Sequence, residues 1–320
     1  MTTHSAKRIV IIGGGPAGYE AALVGARYGA DITLIEDNGL GGSAVIDDCV
    51  PSKSFIAGAN VKTDLRRAED MGLSMKLAED AAGAGSIRLV TALNSRVRQL
   101  AGKQSNDIYR SVERAGVRII AGRGTFDDYN LNQTVHYIRV EHANGTVETI
   151  ECDLVLVATG ASPRILPGAQ PDGERIVTWQ QIYNITELPE HLIVVGSGVT
   201  GAEFVSAFAE LGVKVTMVAS RDRILPHDDA DAADVLETVL TERGVSLVKH
   251  ARVDSVVRMD DGGVLVRTSD GREIRGSHAL MTVGSIPNTQ NMGVEAIGME
   301  TTPSGHIKVD RVSRTNVPGG

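Results

Sequence analysis

The sequence predicts an α/β protein that carries one structural plan twice. Two glycine-rich turns, at residues 13–18 and 196–201, each follow a short apolar run and each open a segment rich in small residues. Apolar strands that alternate with helical segments are typical of a parallel sheet covered by helices. Each unit then continues into a meander and a buried strand that ends at a glycine, so the repeat predicts two related domains.

The elements of the first unit follow in order. An apolar strand at 9–12 leads through the first turn into a helix at 17–28 and a strand at 31–36. A helix is predicted from Pro51 onward, a surface loop at 78–85, a helix at 95–114 and a strand at 117–121. Asn144-Gly145, between runs at 135–140 and 146–151, indicates a hairpin, and a buried strand follows at 153–157.

The second unit repeats this order. A segment with three prolines, at 162–171, is the predicted crossover, and the strand at 192–195 precedes the second turn. A meander at 253–275 and a strand at 278–283 complete the unit. We therefore predict two Rossmann-like dinucleotide-binding domains of three-layer β/β/α character, each with a small antiparallel meander, at residues 1–164 plus 286–320 and at 165–285.

The spacing of the glycines indicates what the turns bind. Gly13 allows a tight strand-to-helix turn, Gly15 lets the backbone approach a pyrophosphate, and Gly18 lets helix and strand pack closely. The phosphates then lie at the positive end of the helix. Two such sites in one chain predict an electron-transfer enzyme. The alternative is that both motifs are coincidental glycine turns, which would say nothing about function.

Composition excludes several other classes. The chain has 320 residues, a formal net charge of −8 and no run of Lys or Arg, which argues against nucleic acid and anionic membranes as partners. No apolar run is long enough to span a bilayer, and no signal peptide is recognisable, so a cytoplasmic protein is expected. Two cysteines exclude a disulfide framework, and the histidines lack ligand spacing, so no metal site is predicted.

One segment resembles a known redox motif. Residues 41–53, Gly-Gly-Ser-Ala-Val-Ile-Asp-Asp-Cys-Val-Pro-Ser-Lys, resemble the redox centre of the pyridine nucleotide–disulfide oxidoreductases, in which two cysteines lie five positions apart. The resemblance covers essentially the whole chain, including motifs at 158–160, 201–203 and 283–289. It implies FAD on the first glycine turn, NADPH and/or NADH on the second, and hydride transfer between them.

The resemblance also implies roles for single residues. Glu36 would bind the adenosine ribose of FAD, Gly124 would contact the adenine through its backbone, and Lys53 would lie beside the flavin, paired with Glu203. Alternatively, Glu203 is a helix N-terminal charge stabilised by the helix dipole. The predicted catalytic residues are Lys53, Glu203 and Cys49, and the predicted cofactor-binding residues are Gly13, Gly15, Pro16, Ala17, Gly18, Glu36, Gly42, Ser43, Lys53, Gly124, Ala158, Thr159, Gly160, Gly196, Gly198, Val199, Gly201, Glu203, Ser220, Arg221, Val253 and Gly284.

The chain departs from the family at the first redox cysteine. Position 44 is alanine, so only Cys49 remains, and Cys152 is predicted to be a core residue. Disulfide exchange needs a thiolate, a leaving sulfur and a resolving partner, and Ala44 supplies none of them. The loop is similar to that of LpdA-type NAD(P)H–quinone dehydrogenases, which implies direct transfer from flavin to a quinone. Cys49 is then a thiolate beside the flavin, a sulfenic-acid centre, or an inert buried thiol.

Two further functions remain open at this point. The chain could be a pyridine nucleotide transhydrogenase, or an inactive or redox-sensing nucleotide-binding fragment. The position equivalent to Glu36 in the second unit is Ala219, and Ser220, Arg221 and Arg223 follow it. They predict a site for the 2′-phosphate of NADPH, unless the arginines are solvated loop charges.

The end of the sequence falls short of the family pattern. Family members continue into a Gly-Asp motif for the flavin ribitol and a C-terminal dimerisation domain. We interpret the chain as a C-terminally truncated member whose first domain is incomplete, and we expect full-length members to be homodimers. Weak FAD retention is therefore expected of these 320 residues.

Overall fold

A computed structural model describes residues 6–73, 84–127 and 135–320. The described chain divides into two compact units. Unit 1 comprises the residues up to Ile46, Ala101–Ser162 and Ile286–Gly320, and unit 2 comprises Asp47–Leu100 and Pro163–Ser285.

The elements that begin in unit 1 are the following: β1 (Arg8–Ile12), α1 (Pro16–Arg27), β2 (Asp31–Glu36), α2 (Gly42–Ile46), β3 (Arg118–Ala121), β4 (Arg123–Phe126), β5 (His136–Glu141), β6 (Val147–Cys152), β7 (Leu154–Val157) and β8 (Ala161–Pro163). The elements that begin in unit 2 are α3 (Cys49–Asp70), α4 (Ala84–Arg114), β9 (Ile176–Thr178), a 3-10 helix (Ile182–Asn184), β10 (His191–Val195), α5 (Val199–Glu210), β11 (Lys214–Val218), α6 (Ala230–Glu242), β12 (Ser246–Val248), β13 (Val253–Arg258), β14 (Val264–Thr268), β15 (Glu273–Gly276), β16 (His278–Met281) and β17 (Ser285–Pro287).

Unit 1 has the predicted three layers. Its parallel sheet has the strand order β3-β2-β1-β7, and β4-β5-β6 form an antiparallel meander. Successive residues of β1 point to opposite faces: Ile11 packs with Ala22 of α1, whereas Val10 packs with Ile138 of the meander. The sheet therefore lies between helices and meander, which confirms the β/β/α prediction.

Unit 2 repeats the arrangement. Its parallel sheet has the order β12-β11-β10-β16-β9, and β13-β14-β15 form the second meander. Val194 of β10 packs with Phe208 of α5, and the neighbouring Val195 packs with Val264 of the meander. Both units therefore have the same construction.

The units differ from the predicted domains in one segment. The chain crosses between them near residues 163 and 286, within two residues of the predicted bounds, but residues 47–100 group with unit 2. The reason is an aromatic core: Phe55 of α3 packs on Phe208 of α5, with ring centroids 5.3 Å apart. Apolar residues of α4, such as Val90 and Val97, join the same core.

Two helix starts also differ from the prediction by two residues or more. α3 begins at Cys49 rather than Pro51, because the carbonyl of Asp48 accepts a hydrogen bond from the Ser52 amide at 2.7 Å and closes a helical turn that contains the proline. α4 begins at Ala84 rather than residue 95, so the predicted loop at 78–85 is wrong for Ala84 and Gly85; residues 78–83 lie outside the described residues. Within the described residues, no helix is both long and apolar enough to cross a membrane.

Candidate functional site

The first glycine turn is closed by backbone contacts that exclude side chains. Gly13 has φ +106°, and a Cβ there would lie 2.2 Å from the carbonyl oxygen of Ala158. A Cβ on Gly18 would lie 1.8 Å from the carbonyl oxygen of Gly13. Glycine at these two positions lets β1, α1 and the end of β7 meet.

The second turn in unit 2 has the same geometry. Gly196 has φ +116°, and a Cβ there would lie 2.3 Å from the carbonyl oxygen of Thr282, just after β16. A Cβ on Gly201 would lie 2.3 Å from the carbonyl oxygen of Gly196. The two glycine motifs therefore make the same close backbone contacts in both units.

Both turns present an uncapped helix N-terminus. The N-cap residues are Gly15 for α1 and Gly198 for α5, both extended, and neither helix has a side-chain cap. Pro16 and Val199 are the first helical residues, and Ala17 follows in α1. Amides at such an end can bind an anion such as a pyrophosphate.

The backbone of the segment after β2 packs against the first glycine turn. A Cβ on Gly42 would lie 2.6 Å from the Cα of Gly15, and the Gly41 amide donates to the carbonyl of Gly14 at 2.8 Å. Ser43 follows in α2, and its buried Oγ has no hydrogen-bond partner among the described residues. An orphaned hydroxyl beside a pyrophosphate-type turn is consistent with a polar ligand there.

Glu36 is held at the end of β2 by two backbone amides. Its carboxylate accepts from Gly14 at 2.5 Å and from Asn38 at 2.7 Å. A carboxylate has about four acceptor positions, so oxygen lone pairs remain for a ribose hydroxyl. This arrangement fits the predicted role of Glu36.

The remaining residues predicted to bind FAD lie directly after β7 and within β4. The carbonyl of Thr159 accepts from the Asn288 side chain at 2.9 Å, and Gly160 has φ +66°. Gly124 lies in β4, and a Cβ there would approach Ile12 and Ile35 at 3.2–3.3 Å. Packing on the sheet accounts for this glycine, and a role toward adenine stays a prediction.

The loop after β11 lies against the second turn. Ser197 of that turn donates to the carbonyl of Arg223 at 3.3 Å, and its own carbonyl accepts from the Leu225 amide at 2.8 Å. Ser220 and Arg221 are exposed, and the buried Nε of Arg223 has no hydrogen-bond partner among the described residues. The loop thus carries two cations, Arg221 and Arg223. The position equivalent to Glu36 holds no acid, because the buried residue Ala219 occupies it.

Val253 and Gly284 lie at other places in unit 2. Val253 begins β13 and packs against the apolar cluster between sheet and meander. Gly284 has φ +90°, and its carbonyl accepts from the Arg164 amide at 2.9 Å. Their predicted cofactor contacts remain predictions.

Lys53 and Glu203 form an ion pair between α3 and α5. The Nζ–Oε1 distance is 2.7 Å, and the side chains are 58% and 23% exposed. Burial lowers the pKa of Lys53, but the hydrogen bond and charge of Glu203 outweigh it and raise that pKa. Glu203 is the fifth residue of α5 and lies beyond its first turn, which leaves little support for a purely dipole-stabilised charge.

Cys49 opens α3 with an exposed thiol, so the interpretation as a buried thiol is wrong. Both cysteines are free: Cys49 lies in unit 2, and Cys152 is buried in unit 1, at the end of β6. Burial raises the pKa of Cys152 to about 12, which fits the predicted core role. No group of acidic, histidine or cysteine side chains among the described residues forms a metal site.

Two carboxylates precede Cys49 where the family motif has its redox loop. Burial raises the pKa of Asp47 and of Asp48, and Asp47 accepts from the Gln180 side chain at 3.2 Å. Tyr183 packs on Phe204, its ring centroid 6.0 Å away, and its buried hydroxyl has no partner among the described residues. Sequence reasoning missed Gln180 and Tyr183, because no motif marks the segment that carries them.

A family model described as pyridine nucleotide-disulphide oxidoreductase matches residues 7–319. The chain belongs to this family. A Mycobacterium tuberculosis (strain H37Rv) protein named NAD(P)H dehydrogenase (quinone) is 54% identical over 315 residues, which are 98% of this chain and 62% of that protein. A dihydrolipoyl dehydrogenase of Bacillus subtilis is 31% identical over 310 residues, which are 97% of this chain and 65% of that protein.

Solved structures agree with this membership. The crystal structure of LpdA from Mycobacterium tuberculosis matches with a TM-score of 0.91 and 52% identity, covering 98% of this chain and 66% of that one. The flavoprotein disulfide reductase RclA from Escherichia coli matches at 0.79 and 25%, covering 98% and 64%. The chain thus spans slightly less than two thirds of these relatives' length, and the prediction of FAD and a nicotinamide dinucleotide is confirmed at the level of the family.

Proposed function

We propose that the chain is the dinucleotide-binding part of an NAD(P)H dehydrogenase that reduces quinones without a redox disulfide. One NAD(P)H, one proton and one quinone yield NAD(P)⁺ and a hydroquinone, which balances two electrons. FAD is assigned to the turn of unit 1 and the nicotinamide dinucleotide to the turn of unit 2. Homodimer formation is proposed only for the longer proteins that this chain resembles.

The observation that supports the proposal most strongly is the number of cysteines and the absence of a disulfide between them. The chain has only two, both are free, and Ala44 stands where the family motif has its first redox cysteine. A dithiol relay needs a second thiol to resolve a mixed disulfide. The relative that is 54% identical carries quinone in its name, which supports a non-thiol acceptor.

The described residues fit the two coenzymes. The glycine cradles, the two uncapped helix ends and the orphaned Ser43 hydroxyl suit two pyrophosphates. FAD, when bound, would supply two-electron chemistry between the nicotinamide and the acceptor. Glu36 would hold a ribose, and Lys53, oriented by Glu203, would place a fixed positive charge for the negative charge that develops during reduction.

An anaerobic titration with NADPH tests the proposal. With FAD bound, one equivalent is expected to bleach the flavin absorbance completely, and added quinone should restore it. Two free thiols per chain should be counted before and after reduction. A requirement for two equivalents with newly formed thiols would reveal a disulfide and contradict the proposal. No bleaching would favour an inactive binding module, and re-oxidation by thio-NAD⁺ but not by quinone would favour a transhydrogenase.

Arg221→Ala is expected to raise the KM for NADPH about tenfold and to leave the KM for NADH unchanged. The exposed guanidinium after β11 is proposed to contact the 2′-phosphate, a charge-assisted contact worth about 1.5 kcal/mol. Steady-state kinetics with both coenzymes provide the measurement.

Arg267→Ala is the matched control for this prediction. Arg267 is an exposed arginine on β14 of the same unit, paired with Glu273 at 2.9 Å. Its loss should change neither KM. If Arg221→Ala and wild type have the same KM for NADPH, Arg221 is a solvated charge that does not contact the coenzyme.

A further inference from the structure

An open groove runs between α3 and α4 within unit 2. Its volume is about 520 Å³, within the range of small-molecule sites. The residues on α3 occur at helical spacing and form one face, and two residues one turn apart on α4 complete the lining. The lining residues are Cys49, Val50, Lys53, Ser54, Ala57, Arg96 and Leu100.

The groove combines an apolar surface with positive charge. Val50, Ala57 and Leu100 provide the apolar contacts, and none of the lining residues is acidic. Lys53 is paired with Glu203, but its side chain stays 58% exposed. The groove therefore suits a ligand with an apolar body and a negative group.

Arg96 is the cation of this groove that no described acid neutralises. Its exposed side chain forms no hydrogen bond or ion pair with any described residue. A guanidinium binds a carboxylate through two parallel hydrogen bonds and stacks on aromatic rings. Both properties match an aromatic acceptor with an acidic substituent.

We propose that this groove binds the electron acceptor and that Arg96 makes it selective for quinones that carry an acidic substituent. This inference rests on the proposed quinone reduction and names the substrate class. The quinone ring contacts Val50, Ala57 and Leu100, and the acidic group meets Arg96. Arg96 is a specificity-determining residue and takes no part in electron transfer.

A kinetic comparison tests the selectivity. A naphthoquinone that bears a propionate side chain and its methyl ester form a matched pair differing in one charge. Arg96→Ala should raise the KM for the acid about tenfold and change the KM for the ester less than twofold, corresponding to about 1.4 kcal/mol. Arg110→Ala, an exposed arginine later on α4, is the control and should change neither KM.

A second measurement needs neither coenzyme nor acceptor. The Cys49 thiol lines the groove, and buried Cys152 does not compete, so alkylation can be followed by mass spectrometry. Arg96→Ala should lower the rate ratio of anionic iodoacetate to neutral iodoacetamide about fivefold, because the guanidinium no longer concentrates the anion near the thiol.

The outcomes separate the two proposals. If wild type reduces no quinone, the proposed function fails, while the alkylation ratio still tests the anion site. If Arg96→Ala leaves both the ratio and the KM difference unchanged, the groove proposal is wrong. A changed ratio with unchanged KM values also overturns the acceptor assignment, because the anion site then lies outside the path of the quinone.

Discussion

Gly18→Ala is expected to destabilise unit 1 by about 3 kcal/mol or more and to abolish FAD binding. The new Cβ would lie 1.8 Å from the carbonyl oxygen of Gly13. Gly13 cannot yield, because its own Cα faces the backbone of Ala158. Since both neighbours are main chain, no rotamer change relieves the overlap. Urea unfolding followed by circular dichroism and a fluorescence titration with FAD measure the two effects.

The chain offers a matched control and an equivalent in unit 2. Gly102 lies in the middle of α4, and a Cβ there would meet nothing within 4 Å, so Gly102→Ala should stabilise the protein by up to about 1 kcal/mol. Gly201→Ala should destabilise unit 2 and impair NAD(P)H binding, because its Cβ would lie 2.3 Å from the Gly196 carbonyl oxygen. A Gly18→Ala variant as stable as wild type would show that the turn is more open than described.

The architecture was predictable because local signals agreed with the global fold. β2 has the predicted bounds, Asp31–Glu36, since its continuous buried run is bounded by turn residues on both sides. The hairpin at Asn144-Gly145 formed where that dipeptide predicted it. The two glycine motifs predicted atomic contacts, because only glycine lets two backbones approach so closely.

The grouping of α3 with unit 2 was not predictable from the sequence. Nothing local to Phe55 indicates that it packs on Phe208, which lies far away in the chain. The same holds for the early start of α4, whose apolar residue Val90 becomes a core residue only when α3 and α5 are present. Tertiary contacts, rather than local propensity, determined the grouping of α3 and the start of α4.

The candidate site was predictable in its motif residues and not in its surroundings. Glu203 and Lys53 could be paired because the family resemblance marks both. Arg96 carries no motif, and its place beside Cys49 follows from the packing of two helices. The orphaned hydroxyls of Ser43 and Tyr183 likewise depend on which groups surround them.

Lys53→Met is expected to lower kcat for NAD(P)H-dependent quinone reduction about a hundredfold, with little loss of stability. Removing one preorganised charge or donor from an active site costs about 10²–10³ in rate. The pair contributes little to folding, because the Lys53 side chain is 58% exposed and exposed pairs are worth about 0–1 kcal/mol. Stopped-flow reduction by NAD(P)H and urea unfolding separate the two quantities.

The partner residue shows whether the pair acts as a unit. Glu203 is only 23% exposed, so Lys53→Met leaves a mostly buried carboxylate without its cation, and Glu203→Gln should recover part of any lost stability. The double variant should be no slower than Lys53→Met alone, because Glu203 acts by orienting the lysine. Lys103→Met, an exposed lysine on α4, should retain full activity. If Lys53→Met and Lys103→Met reduce quinone at the same rate, the charge of Lys53 has no part in the reaction.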